Sequence, residues 1–136
     1  MMISTKGRYA IKVLCDLAEN GDGAYIPLKD IAARQELSLK YLESIMSTLS
    51  KGALVEGVHG KGGGYRLTKA PEKYTVGEVL RLTEVSLAPV TCVGENGCTC
   101  ENSGSCKSLP MWVKLDNIIN EYLDGVSIYD LVNSNV

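Results

Sequence analysis

Apolar side chains recur at steps of three and four residues along much of this chain, and that spacing predicts amphipathic helices. The first covers residues 4–19, where Ser4 or Thr5 can accept hydrogen bonds from the amides of the first turn. A glycine-rich turn separates it from a short second helix over 27–35. Pro27 suits the first turn of that helix, where no amide hydrogen is needed.

A third helix follows almost at once. Ser38 can cap its start and Gly52 can end it. Its apolar residues share one face, which we expect to point inward: Leu39, Leu42, Ile45, Met46 and Leu49. A short helix, a tight turn and a capped helix together are typical of a helix-turn-helix.

Two short runs suited to β-strands come next, at 54–55 and 65–68. Between them lies a glycine-rich tip that we expect to be mildly basic, with His59, Lys61 and Arg66. A hairpin directly after a helix-turn-helix makes a winged helix, and the combination is more specific than either part.

Two further helical patterns lie on either side of a segment rich in glycine and cysteine. Thr75 and Glu78 have the spacing of a capping box, and a helix is predicted from there to about Val85. Ser108 can cap a long helix that extends to about Leu123, before a last short one. The apolar seam of the long helix is wider than one neighbour needs, which favours self-association over packing within the chain. Its residues are Met111, Trp112, Leu115, Ile118, Ile119, Tyr122 and Leu123.

The predicted fold class is mainly α with a small β-hairpin wing. We expect a winged helix-turn-helix over residues 1–85, a cysteine-rich loop over 86–107, and a dimerisation helix with a short C-terminal helix over 108–136. No run of 18 or more apolar residues suggests a membrane span. Charges interrupt the apolar residues at the N-terminus, so no signal peptide is predicted, and a cytoplasmic location is expected.

Four of the five cysteines fall within residues 91–107: Cys92, Cys98, Cys100 and Cys106. Cytoplasmic thiols stay mostly reduced, so thiolates grouped this closely favour a metal or a cluster over disulfides. Zinc is an alternative, although the gaps between the cysteines differ from its usual pairs. A thiol redox switch without metal is another. Cys15 stands apart on the first helix and is expected to be a small buried hydrophobic residue.

Charge is distributed unevenly along the chain, although the net charge is only −2. Residues 1–73 contain 11 Lys/Arg and 8 Asp/Glu, a net of +3, whereas 74–136 contain 3 and 8, a net of −5. A basic front is expected where one end of a protein meets a polyanion. Lys6, Arg8 and Lys12 in the first helix are candidates for phosphate contacts, the alternative being a solvated face.

Several motifs together resemble the IscR/NsrR/CymR family of small bacterial winged-helix regulators, and most closely its IscR-type, iron–sulfur-sensing branch. The matching stretches are STKGRYA at 4–10, SLKYLE at 38–43, GKGGGYRL at 60–67 and VGEVL at 76–80. The cysteine loop and the long helix follow in the expected order. The resemblance extends over essentially the whole chain.

The resemblance implies a homodimer that binds double-stranded DNA at a near-palindromic operator. The third helix would enter the major groove and the wing the minor groove. Residues that the resemblance places at the base edges are Ser38, Lys40, Tyr41 and Glu43. In the wing, His59 stands where the family often has arginine, so Lys61 is expected to take more of that role. Lys40 replaces a residue that is usually small and polar, which alters the expected operator sequence.

The resemblance also implies an iron–sulfur cluster, most simply 2Fe–2S, held by three cysteines and one further ligand. Five residues separate successive cysteine ligands in IscR-type regulators. Here Cys92 and Cys98 have that gap, and so do Cys100 and Cys106. Cys92 and Cys106 belong to both registers, whereas Cys98 and Cys100 compete for the middle position.

The fourth ligand is the open question, because Leu109 occupies the place where the family often has histidine. All four cysteines could bind, or an oxygen ligand could complete the site. The oxygen candidates are Glu95, Glu101, Asp116 and Glu43. Ligation by Glu43 would connect the cluster to the helix that reads DNA.

We therefore predict a DNA-binding transcriptional regulator, a repressor or an activator, controlled by an iron–sulfur cluster, with cluster assembly genes as expected targets. One alternative of the same fold is a repressor that senses nitric oxide or thiol redox state. An alternative of another class is a small iron–sulfur or zinc-binding module. No catalytic site is expected, since the single histidine lies in the wing and no paired-carboxylate motif is present.

Overall fold

A computed structural model describes residues 2–94 and 104–136. Three helices open the chain, an antiparallel hairpin follows, and three further helices complete the described part. Their bounds are α1 Thr5–Asn20, α2 Leu28–Gln35, α3 Leu39–Lys51, β1 Val55–Val58, β2 Gly64–Leu67, a 3-10 turn Pro71–Lys73, α4 Val76–Thr83, α5 Leu109–Asp124 and α6 Ile128–Val132. The predicted fold class, mainly α with a hairpin wing and a long C-terminal helix, is confirmed.

Serine side chains start the first and third helices as predicted. Ser4 Oγ accepts from the backbone N–H of Gly7 across 2.9 Å, and Ser38 Oγ accepts from that of Tyr41 across 3.2 Å. Each bond satisfies an amide that has no partner within its helix. Pro27 stands at the N-cap of α2, one position earlier than expected.

The core lies between α1, α3, the base of the hairpin and α6. Its completely buried side chains include Leu14, Ile31, Leu42, Ile45, Met46, Leu49, Tyr74 and Ile128. The prediction that Leu39 points inward is wrong, because 48% of this side chain is exposed. Leu39 lies in the first turn of α3, at the edge of the apolar stripe formed by the residues that follow.

The hairpin is attached to the helical body at Tyr65. Val55 pairs with Leu67 and Val58 with Gly64 across the two strands. Ile26 and Tyr65 exchange backbone hydrogen bonds of 2.8 and 2.9 Å. A Cβ at position 64 would collide with the carbonyl of Ile26, so this close approach requires glycine.

The start of α4 contains half of the predicted capping box. Thr75 Oγ1 accepts from the backbone N–H of Glu78 at 3.0 Å. The Glu78 carboxylate does not return to the cap; it binds Lys69 Nζ at 2.9 and 3.1 Å. The helix ends at Thr83, two residues earlier than expected, and Val85 is fully exposed.

The C-terminal end of α5 is fixed to α4. The guanidinium of Arg81 donates to Asp124 at 2.6 and 3.1 Å and to Asn120 at 2.8 Å. A Cβ on Gly77 would collide with the Asp124 carboxylate, so the two helices approach closely here. No residue of α5 is buried, and large apolar side chains remain open along it. Among the described residues, no helix has the length and apolarity to cross a membrane.

Candidate functional site

The exposed face of α3 contains most of the residues predicted to read bases. Ser38, Lys40 and Glu43 are exposed and Tyr41 is half-buried. The Ser38 oxygen caps the helix, so this hydroxyl has a structural role and keeps only its hydrogen for another partner. Ser38, Lys40 and Glu43 therefore present a hydroxyl donor, a cation and a carboxylate at the start of α3.

Tyr41 is held against α1. Its ring meets the Tyr9 ring edge to face, with 6.3 Å between centroids, and Lys12 Nζ lies 5.1 Å from the Tyr9 centroid. The ring pair joins α1 to α3, and the ammonium of Lys12 lies over the Tyr9 ring. Lys12 is a candidate for a phosphate contact together with Lys6 and Arg8, and that role stays a prediction. Its contact with the Tyr9 ring, one helical turn away, was not predicted.

The wing tip has fewer basic side chains than expected. His59 and Lys61 are exposed at the tip, as predicted. Arg66 is on β2 and is bound there: its Nε donates to Glu56 across 2.6 Å, and its guanidinium lies 4.4 Å from the centroid of the Tyr25 ring. The prediction of Arg66 as a tip residue is therefore wrong, because cross-strand pairing with Glu56 holds it at the base of the wing.

The first turn of α1 contains cations and no acidic side chain. Lys6 is half-buried, and Arg8 is exposed with its Nη2 donating to Thr5 Oγ1 at 3.3 Å. The carboxylate of Glu84, at the end of α4, accepts from both the backbone N–H and the hydroxyl of Ser4. This contact could not be found from sequence patterns, because its two residues are 80 positions apart.

Two of the four clustered cysteines lie within the described residues. Cys92 and Cys106 are half-buried free thiols. Cys98 and Cys100, with Glu95 and Glu101, lie outside the described residues. Within 2–94 and 104–136, no three His, Cys, Asp or Glu side chains are grouped as metal ligands would be. Glu43 is thus not brought together with Cys92 and Cys106, and its role as a ligand stays a prediction.

The surroundings of Cys106 favour the thiolate form of its side chain. Its Sγ lies 3.4 Å from Ser108 Oγ. This side-chain hydrogen bond is the largest cause of the lowered pKa of Cys106. Hydrogen bonds from the backbone amides of Ser108 and Leu109 lower the pKa further. Ser108 stands at the N-cap of α5 but makes no side-chain cap bond, so its predicted capping role is wrong. A stabilised thiolate is the form that binds iron or zinc, and Cys106 fits that chemistry.

The remaining candidate ligands are less suited to that chemistry. Burial, and secondarily the charge of Glu19, raise the pKa of Cys15 to about 11. Cys15 packs against the main core, as predicted. Leu109 is the first residue of α5 and offers no donor atom, and Asp116 lies two turns further along the same helix.

Comparison with known proteins supports the same reading of the whole chain. The family model described as Rrf2, iron-dependent transcriptional regulator, matches residues 3–134. The chain is 38% identical to the HTH-type transcriptional regulator IscR of Aliivibrio salmonicida over 135 residues, which are 99% of this chain and 79% of the relative. Identity to IscR of Escherichia coli is 37% over 134 residues, covering 98% and 82%. These relatives are transcriptional regulators and not enzymes.

Solved structures agree with the sequence comparison. CymR, the global cysteine regulator of B. subtilis, superposes with a TM-score of 0.81 at 33% identity and covers 98% of both chains. IscR of T. potens superposes with a TM-score of 0.75 at 31% identity, covering all of this chain and 89% of the other. The chain belongs to the Rrf2 family of iron-dependent, DNA-binding transcriptional regulators.

Proposed function

We propose that this regulator holds an iron–sulfur cluster of the 2Fe–2S type and that the cluster sets its affinity for DNA. The observation that carries the proposal is the environment of Cys106, whose thiolate is stabilised at the start of α5. Thiolates are the ligands that iron–sulfur clusters prefer. Relatives named IscR match almost all of this chain, which supports the proposal. Cluster assembly genes are the targets that we propose.

The ligand set we propose begins with Cys92 and Cys106, which border the segment between the winged helix and α5. Either Cys98 or Cys100 is the third ligand. The fourth is the remaining cysteine or a carboxylate, and Glu43 is the most informative candidate because it is exposed on α3. A carboxylate bound to iron would be withdrawn from DNA, so cluster loss would change base recognition.

For DNA we propose a homodimer on a near-palindromic operator. Residues of α3, the wing and the start of α1 would make the contacts: Ser38, Lys40, Tyr41, Glu43, His59, Lys61, Lys6 and Arg8. The second copy would pack on the open apolar stripe of α5, which consists of Met111, Leu115, Ile118 and Tyr122. The division into 1–85, 86–107 and 108–136 and the cytoplasmic location remain part of this proposal.

The test is anaerobic purification followed by iron and acid-labile sulfide analysis and a visible spectrum. Wild-type protein should be red-brown, and Cys92→Ala and Cys106→Ala should both be colourless. The matched control is Cys15→Ala, which should keep the cluster. A colourless wild-type protein with one equivalent of zinc would disprove the cluster.

The ligand set is resolved by three further variants. If an oxygen ligand is present, only one of Cys98→Ala and Cys100→Ala should lose the cluster. Equal loss in both would mean four thiolate ligands. Glu43→Ala should shift the visible bands if Glu43 is a ligand. An unchanged spectrum together with altered operator preference would leave Glu43 as a base-reading residue only.

A thiol redox switch of the same fold is the second candidate, and the lowered pKa of Cys106 also favours it. It predicts a colourless protein whose DNA affinity changes on treatment with peroxide and recovers with a thiol reductant. The spectrum and metal content separate the two functions directly.

A further inference from the structure

The positive charge at the N-terminus of α1 is not offset by any side chain in the first turn of that helix. The amides at the start of a helix carry partial positive charge, and acidic side chains normally offset it. The first turn of α1 has none, and Lys6 and Arg8 add two positive charges there. Ser4 satisfies one amide, that of Gly7, but supplies no negative charge.

Glu84 supplies the missing charge from the other end of the winged helix. Its Oε1 accepts from the backbone N–H of Ser4 across 2.5 Å, and its Oε2 accepts from the Ser4 hydroxyl across 2.8 Å. Both carboxylate oxygens are therefore used on one residue, the N-cap of α1. Hydrogen bonds to an ionised acceptor are stronger than neutral ones, so this contact orders the cap itself.

The backbone of α1 lies close against side chains at the end of α4 around this contact. Gly7 is buried, and a Cβ placed on it would lie 2.9 Å from Glu84 Oε1 and 3.0 Å from Thr83 Oγ1. There is no room for a side chain between the two helices at this point. A displacement of the end of α4 would consequently be felt by the first turn of α1.

Glu84 is also the C-cap of α4. Its backbone is extended, with φ −106° and ψ 145°, and its N–H donates to the carbonyl of Leu80 at 2.8 Å. Val85 beyond it is fully exposed. The chain then leads within eight residues to Cys92. Leu87, between Glu84 and Cys92, is buried against Val76 and Leu80 of α4. The α1 cap is thus bound to the residue that precedes the cysteine-bearing segment, and the start of that segment also packs on α4.

We propose that Glu84 is a positioning residue for DNA binding: it holds the first turn of α1, and with it Lys6 and Arg8, against the DNA backbone, and transmits displacements of the cysteine segment to them. The second half of this proposal rests on the proposed function, in which that segment holds the cluster. The first half rests on the proposed DNA contacts of Lys6 and Arg8 and needs no cluster.

The positioning role is tested on cluster-free protein with Glu84→Ala and the milder Glu84→Gln. Loss of a helix cap should speed hydrogen exchange of the Gly7 and Arg8 amides about fivefold in Glu84→Ala, and less in Glu84→Gln. Binding to operator DNA should weaken about three- to tenfold. The slope of log affinity against log salt should fall by about one or two phosphate contacts.

The matched control is Glu78→Ala, which removes a carboxylate from α4. That carboxylate binds Lys69 and does not contact the start of α1. It should leave the exchange of the first-turn amides and the salt slope unchanged. Unchanged exchange in Glu84→Ala would overturn the positioning role, as would a weaker affinity with an unaltered salt slope.

Transmission is tested by comparing DNA affinity with and without cluster, at measured iron and sulfide content, in wild type and Glu84→Ala. The ratio of the two affinities should move toward one in the variant while cluster content stays the same. An equal ratio in both proteins would overturn transmission. A wild-type ratio of one would instead refute cluster control itself, and the hydrogen-exchange result would still decide the positioning role.

Discussion

The hydroxyl of Tyr74 donates a hydrogen bond to the carbonyl oxygen of Leu54 across 2.6 Å. The hydroxyl oxygen of Tyr74 also accepts from the backbone N–H of Thr68 at 2.9 Å. One completely buried side chain therefore holds both ends of the hairpin. The carbonyl of Tyr74 accepts from the N–H of Ile128 at 3.1 Å. Through this residue the base of the wing is bound to the start of α6.

Tyr74→Phe should therefore loosen the wing without emptying the core. The ring still fills its space, but Leu54 and Thr68 each lose a partner, which should lower the free energy of unfolding by about 1–2 kcal/mol. The Thr68 amide should exchange faster. Urea unfolding and hydrogen exchange measure the two effects. Tyr129→Phe, at an exposed tyrosine of α6, is the control and should change neither. Unaltered exchange at Thr68 would contradict the assignment.

The buried carboxylate of Asp16 gives a second prediction. It is 3% exposed and accepts from Arg34 Nε at 2.9 Å and Nη2 at 2.7 Å, and from Gln35 Nε2 at 3.0 Å. Arg34→Met leaves this charge with one amide partner and should cost about 2–3 kcal/mol. This is less than the usual cost of breaking a buried pair, because Arg34 is partly exposed.

Thermal or urea unfolding at pH 7 measures that cost. Lys29→Met removes an exposed cation from the same helix and should stay within about 0.5 kcal/mol of wild type. A similar stability of the two variants would show that the pair between α1 and α2 contributes little.

A third prediction concerns thiol reactivity in cluster-free protein. The pKa of Cys106 is lowered chiefly by the Ser108 hydroxyl, so Ser108→Ala should raise it and move alkylation by iodoacetamide to higher pH. Cys15, with a pKa of about 11, stays protonated at neutral pH and should react far more slowly. Mass spectrometry of the labelled peptides from pH 5 to 10 gives both profiles. Identical Cys106 profiles in the two proteins would exclude Ser108 as the cause.

The exposed apolar stripe of α5 gives a fourth prediction. Ile118 is 52% exposed on the same face as Met111, Leu115 and Tyr122, whereas Val113, 42% exposed, lies on the opposite face. Ile118→Lys should place a charge in the dimer interface and produce monomers in sedimentation experiments, with at least a tenfold weaker dimer. Val113→Lys should remain dimeric. Dimers in both variants would move the interface away from this stripe.

Local patterns predicted the presence of the helices and the serine caps of α1 and α3. Ser4 and Ser38 act on amides three residues away, so spacing alone predicts them. The same reasoning failed at Ser108, where a cysteine two residues away competes for the hydroxyl. It also could not predict the contact of Glu84 with Ser4 or that of Tyr74 with Leu54, because such contacts form only when distant segments of the chain pack together.

The candidate site was predictable in its chemistry and less so in its geometry. Clustered cysteines and exposed α3 residues follow from residue type and period. Whether Arg66 reaches the wing tip depends on its cross-strand neighbour, Glu56, and no single-residue property contains that information.

The bridge between Ile26 and Tyr65 has a further effect, on aggregation. A strand with unpaired backbone groups along its edge is a template for other strands, and proteins usually cover or charge such edges. A wing that must protrude is at particular risk. Here Ile26 occupies part of the outer edge of β2, and the Glu56–Arg66 pair puts charges across the hairpin. The protein can extend a bare hairpin into solvent without offering a long, neutral edge for fibre growth.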